Sequence, residues 1–232
     1  MTTHAFFDPF GAFAGAADTG DASDTRPREL DYRALLGAAW WRLPAATRER
    51  FEHHDAVYTG TMALQATFAG TWVERLCRLV GSPLPPPHAM PVTMTVLVEP
   101  DPATGGSRWT RRYEFPTRTV AIASVKALDR DGTVVERLPY GLRMRLQVSV
   151  RDGALCFDSA GYYVELPGLR WRGRRYGAWR LALPSWFLPG RTCVAHRDLG
   201  GGRFRFTMTV RHRLLGELFD HDGVFHSAGE EP

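Results

Sequence analysis

Leu142-Arg143-Met144-Arg145-Leu146-Gln147-Val148-Ser149-Val150-Arg151-Asp152-Gly153-Ala154-Leu155-Cys156-Phe157 is the stretch that decides the fold. From Arg143 to Arg151 apolar and polar residues alternate, and the alternation stops at Asp152-Gly153. A period of two marks a half-buried strand. Leu142, Met144, Leu146, Val148 and Val150 share one face, and Arg143, Arg145, Gln147, Ser149 and Arg151 the other. Asp-Gly between two such runs predicts a hairpin, because both central residues of a type I′ turn need positive φ. The turn sets a register: Val150 opposite Leu155, Val148 opposite Phe157, Leu146 opposite Ser159, Met144 opposite Gly161 and Leu142 opposite Tyr163. The buried face then thins from bulky residues near the turn to Ser159 and Gly161. That predicts a close approach by another segment or room for a ligand.

On either side of this hairpin the chain reads as more strands. Val92, Met94, Val96 and Val98 alternate with polar residues, Pro100 to Gly106 turns, and Arg108 to Phe115 returns. Strands follow near Thr119 to Leu128 and Val134 to Leu138, joined at Asp129 to Gly132. Arg191 to Asp198 pairs with Arg203 to Val210 across Gly200-Gly201-Gly202, and Gly216 to Phe225 closes the series. Short turns imply antiparallel neighbours. Upstream, Leu30, Leu35, Leu36, Ala39, Trp40 and Leu43 share a helical face up to Pro44; Ala45 to His54 is a second short helix. Val57 to Phe68 reads as a strand, and Gly70 to Val80 as a helix stopped by Gly81-Ser82-Pro83.

With about nine or ten strands the sheet is too large to stay flat. The expected class is α+β and mostly β: a strongly curved antiparallel sheet or partly closed β-barrel, lipocalin-like or START-like in outline, with two or three N-terminal helices packed in its concavity. Residues 28–226 make a single domain on this reading, flanked by a flexible arm over 1–27 and a disordered tail over 227–232.

The 232 residues are 44% hydrophobic and 23% charged, and no stretch approaches about 18 uninterrupted apolar residues. A cytoplasmic protein is expected, with a peripheral place on the inner membrane as the variant. The net charge of +4 is uneven: residues 103–213 hold 21 basic and 8 acidic groups, while residues 1–31 hold 2 and 6. Such a middle attracts phosphates, anionic head groups or an acidic partner; alternatively its arginines supply the solvent faces of strands. Cys77, Cys156 and Cys193 are odd in number and widely spaced, which argues against a disulfide framework or a zinc site.

The alternation over Ser107 to Phe115 places Arg111 in a row with Trp109, Tyr113 and Phe115. A guanidinium on a core-facing row needs a partner, since an unpaired buried charge costs several kcal/mol. Glu136, on the face of Val134 and Leu138, is the expected one. Either the pair only fixes packing, or Arg111 anchors a carboxylate or phosphate in a pocket lined by Trp109, Tyr113, Met144 and Phe157. From Leu166 to Gly190, Trp171, Tyr176, Trp179, Trp186 and Phe187 lie among Arg170, Arg172, Arg174, Arg175 and Arg180. A lid over the barrel mouth is the first reading, contact with an anionic membrane the second, and single-stranded nucleic acid the weakest. His53-His54-Asp55, His212, His221 and His226 lack metal-ligand spacing, so no metal or cofactor is expected. No G-x-S-x-G, P-loop or G-x-G-x-x-G occurs, so no catalytic residue is assigned.

Several short motifs recur in a fixed order: Trp41-Arg42-Leu43-Pro44, His54, Gly81-Ser82-Pro83, Trp109-Thr110-Arg111-Arg112, Glu136-Arg137, Tyr140-Gly141, Leu183-Pro184 to Leu188-Pro189-Gly190, and Leu214-Leu215-Gly216. In that order, from about Leu35 to Phe225, the chain resembles a bacterial family known as domain of unknown function 4166. The resemblance implies no established activity. It does imply company, because such domains occur behind NAD(P)-binding reductase-like domains or beside small membrane domains. Three functions follow as expectations. The first is binding of a hydrophobic or lipid-like molecule, with an acidic head group, inside the curved sheet. The second is an enzyme or accessory subunit working with a separate NAD(P)-dependent reductase, in which His54, Arg111 and Glu136 meet. The third is a peripheral membrane or protein-interaction module using Trp171, Trp179, Trp186 and Phe187.

Overall fold

The computed structural model describes residues 27–79, 84–166, 168, 170–171, 174–175, 179–184 and 188–228. The expected N-terminal arm up to residue 26, the helix stop at Gly81-Ser82-Pro83, the tail over 229–232, and Trp186 and Phe187 lie outside the described residues. Asp31 caps α1 (Tyr32–Leu36), its carboxylate accepting from the amides of Arg33 and Ala34. The helix ends at Gly37, and a 3-10 turn over Gly37–Arg42 carries the chain to Leu43. One amphipathic helix was expected across this stretch. Trp40 is buried as expected, but the break changes the rest of the face, burying Tyr32 and leaving Leu35 exposed. α2 (Ala45–Glu52) follows Pro44, then β1 (Ala56–Ala66), α3 (Phe68–Leu79), β2 (His88–Asp101), β3 (Gly106–Phe115), β4 (Arg118–Leu128) and β5 (Val134–Arg137). The rest is β6 (Leu142–Arg151), β7 (Ala154–Leu166), β8 (Arg170–Trp171), β9 (Arg174–Arg175), β10 (Trp179–Ala182), β11 (Arg191–Gly200), β12 (Arg203–His212) and β13 (Gly216–Ser227).

The main sheet runs β10-β7-β11-β12-β13-β1-β2-β3-β4-β5-β6, and β6 pairs back onto β7. Ten antiparallel strands therefore close into a barrel, with β10 attached outside along the end of β7. Closure removes the free edges that an open curved sheet would expose. The outline is lipocalin-like.

The central hairpin forms as the sequence predicts near its turn, with Asp152 and Gly153 at φ 48 and 72. Val150 faces Leu155, Val148 faces Phe157 and Leu146 faces Ser159. Beyond that the register slips by one residue at a bulge, so that Arg145 meets Gly161, Met144 meets Tyr162 and Leu142 meets Val164. Gly161, at φ 137, takes a backbone conformation that L side chains rarely adopt. The expected pairs Met144 with Gly161 and Leu142 with Tyr163 are thus corrected. Tyr162 and Val164 line the interior, and Tyr163 turns outward to donate to Asp129 at 3.0 Å. Arg180 of β10 closes on the same carboxylate through both terminal nitrogens, at 2.9 and 2.6 Å.

The two ends of the barrel are finished differently. α1, the 3-10 turn and α2 plug one end with Tyr32, Trp40 and Phe51, each no more than 3% exposed. Phe51 packs edge-on against Tyr32 and stacks on Trp109 of β3. At the opposite end α3 lies against β13 and β1, where Ala69 and Val73 join Val210, Leu218 and Phe219 in a second small apolar cluster. Among the described residues no helix is long and apolar enough to cross a membrane.

Candidate functional site

Between the plug and α3 the barrel encloses a cavity of about 540 Å³, within the range of ligand pockets of roughly 300–1,000 Å³. β3 sends in Trp109, Arg111 and Tyr113, β4 Lys126, β5 Glu136 and β6 Met144, while Phe157 comes from β7. Six of the sequence-predicted pocket residues, Arg111, Glu136, Trp109, Tyr113, Met144 and Phe157, are thereby brought to one wall. His54 is not. It occupies the bend between α2 and β1 and does not line the cavity, because α2 ends at Glu52, two residues before it, and β1 begins only at Ala56. The expected meeting of His54 with Arg111 and Glu136 is corrected.

The ionic centre is built on one carboxylate oxygen. Ser124 Oγ donates to Glu136 Oε1 at 2.6 Å and accepts from Arg111 Nη1 at 3.0 Å. Arg111 Nη2 reaches the same Oε1 at 3.4 Å, and Lys126 Nζ lies 3.7 Å from it. Burial by itself would raise the Glu136 carboxyl, but Lys126, Arg111 and the Ser124 hydroxyl outweigh it and hold the group at about 2. Burial lowers the Lys126 ammonium to about 8, against the opposing pull of Glu136. Its Nζ sits 4.5 Å from the Trp109 ring centroid, a cation–π contact that takes the place of water. Tyr113 is pushed up to about 12, chiefly by burial.

Two further residues face this centre. His196 of β11 is ringed by Phe51, Phe157, Phe204 and Phe206, with its Nδ1 buried and without a hydrogen-bond partner among the described residues. Burial, then the charges of Arg50, Lys126 and Arg111, drive its pKa well below the usual histidine value, so it is neutral. Arg50 of α2 lays its guanidinium 3.8 Å from the Phe204 ring centroid, and its buried Nη1 has no hydrogen-bond partner among the described residues. The cavity wall therefore carries three cations, Arg50, Arg111 and Lys126, against the carboxylate of Glu136.

A family model matches residues 43–225. The chain belongs to the family described as Domain of unknown function (DUF4166). The matched span runs from just before α2 to within two residues of the end of β13, so the DUF4166 match takes in nearly the whole barrel, α3 and every member of the ionic centre. No curated protein and no solved structure matches the chain.

Sequence reasoning missed Ser124, Lys126, His196 and Arg50. The signal for the first two was in β4, where Val120, Ile122, Ser124, Lys126 and Leu128 fall on one face by the alternation that exposed Arg111. His196 follows Thr192 and Val194 on an inward row in the same way. Arg50 had no such signal, because α2 is too short to show a clear apolar face. Of the aromatic segment, Trp179 stands on β10 and is 66% exposed, whereas Leu183, Leu188 and Pro189 line the cavity. The side chain of Trp171 lies outside the described residues, as Trp186 and Phe187 do.

Proposed function

We propose that the barrel binds a hydrophobic molecule with an acidic head group. The reading rests on one observation: among the described residues that line a largely apolar cavity, Arg50, Arg111 and Lys126 face one carboxylate, that of Glu136, with Asp198 acting on Arg50 from outside the lining. Such an excess of positive charge on the lining, with Lys126 buried and Arg50 and Arg111 part-buried, is offset when an anion enters. The charges lie toward the plugged end, since Lys126 contacts Trp109 and Trp109 stacks on Phe51. A carboxylate or phosphate head would sit there between Lys126 and Arg50, beside neutral His196, and the chain would extend past Met94, Met144 and Met208 toward the mouth. Methionine side chains adapt to irregular chain shapes. No reaction is assigned. The reading of an enzyme working with a separate NAD(P)-dependent reductase called for His54, Arg111 and Glu136 in one pocket, and His54 stands outside it.

The test is calorimetric titration at neutral pH with a straight-chain fatty acid and with the alcohol of the same length. The acid is expected to bind at least about tenfold more tightly, the equivalent of one charge-assisted contact of about 1.5–3 kcal/mol. Lys126→Met should erase that preference while retaining the alcohol. Equal affinities for acid and alcohol, or binding of neither, would overturn the proposal.

A further inference from the structure

Many of the large apolar side chains that face solvent gather at the α3 end of the barrel, the mouth opposite the plug. Phe68, Trp72 and Leu76 are spaced by four residues along α3 and are 83%, 58% and 63% exposed. Leu214 and Leu215, in the turn between β12 and β13, are 83% and 53% exposed. These segments share one end because β13 runs antiparallel to β1: Phe219 pairs with Ala66, which leads directly into α3. Trp179 reaches the same end, pairing with Leu166 at the terminus of β7. The patch is continuous with the cavity, since Leu76 belongs both to the exposed stripe and to the cavity wall. Basic groups are interleaved with it: Arg75 stacks its guanidinium 5.4 Å from the Trp72 ring centroid, and Arg213 precedes Leu214.

From this arrangement we infer that the mouth of the barrel docks on an anionic phospholipid bilayer, with Phe68, Trp72 and Leu214 in the interface and Arg75 and Arg213 at the head-group level. Aromatic and leucine side chains beside arginines suit that layer, where apolar area and negative surface potential act together. The docking stands on the rim alone. The route it offers rests on the proposed function: a mouth held at the interface meets acidic head groups first, and head-first entry is what a cation cluster at the closed end requires.

The experiment is flotation of the full chain with phosphatidylcholine vesicles, with and without phosphatidylglycerol. The wild-type chain is expected to float with the anionic vesicles, less so as salt rises. Phe68→Ser/Trp72→Ser/Leu214→Ser, checked for an unchanged melting temperature, should lose at least about tenfold in vesicle affinity. Arg75→Gln/Arg213→Gln should lose the preference for anionic vesicles. No flotation with either vesicle would overturn the inference, as would a homodimer in sedimentation that the triple variant dissolves, which would give the patch to a second copy. Fatty-acid calorimetry on the triple variant keeps the two claims apart: retained binding there with lost flotation leaves the cavity reading standing and assigns the loss to the rim.

Discussion

Glu136 accepts from Ser124 and faces both Arg111 and Lys126, so replacing it leaves two cations in an apolar interior without their counter-charge. Glu136→Gln is expected to cost about 3–5 kcal/mol in chemical denaturation. Adding Lys126→Met should recover part of that loss, a coupling that a double-mutant cycle reads directly. Lys126 also gives the proposed binding a pH signature. With the ammonium held at about 8, anion affinity should be steady below that value and fall as pH rises through it. His221 provides an acid limb. It is 1% exposed, its Nε2 has no hydrogen-bond partner among the described residues, and burial holds it at about 4. The unfolded chain, with an ordinary histidine near 6.5, takes up this proton first as pH falls. Stability is therefore lost between about 6.5 and 4, by about 3 kcal/mol in full. Denaturation midpoints of the wild-type chain and His221→Gln at pH 7.5 and 5 should converge on acidification. The Arg111–Glu136 pair was legible at this scale because a charge interrupts an apolar row on each strand. Lys126 and Ser124 interrupt their own row equally plainly. Arg50 and His196 join the same cavity wall only once α2 and β11 are placed around it.

The bulge in β7 is the element on which the shape of the cavity turns. Without it Tyr163 would point inward and Gly161 would sit opposite Met144, as strict alternation predicts. With it Tyr162 lines the wall, and Tyr163 joins Asp129 and Arg180 outside. Gly161→Ala forces a side chain onto φ 137 with no steric neighbour to blame, so a loss of about 1–3 kcal/mol measures backbone strain alone. Denaturation of this variant, with fatty-acid affinity as a control, checks the assignment, and the affinity should stay near that of the wild-type chain. The slip was not legible in the sequence because Ala160-Gly161 fits either register locally, and the choice is made by Tyr163 finding Asp129 thirty-four positions away. The break at Gly37 is similar. Burial of Tyr32 against Phe157, not the local apolar pattern, sets the direction of α1.

At the scale of the molecule, strand number and antiparallel order follow from hairpin turns, which are local. Closure does not. It depends on β7 holding β11 on one side and β6 on the other, and on β1 pairing with β13 across most of the chain. Closure and the plug convert a curved apolar face into a bounded cavity with its charges at the shut end. That shape is why binding of an amphiphile, rather than surface chemistry, is the central claim. Native mass spectrometry of the purified full chain, followed by denaturing extraction of what travels with it, tests the claim most directly. The account predicts an acidic amphiphile bound one to one, retained by the wild-type chain and lost from Lys126→Met. A bare mass, with no rise in melting temperature on adding fatty acids or other acidic lipids, would contradict it.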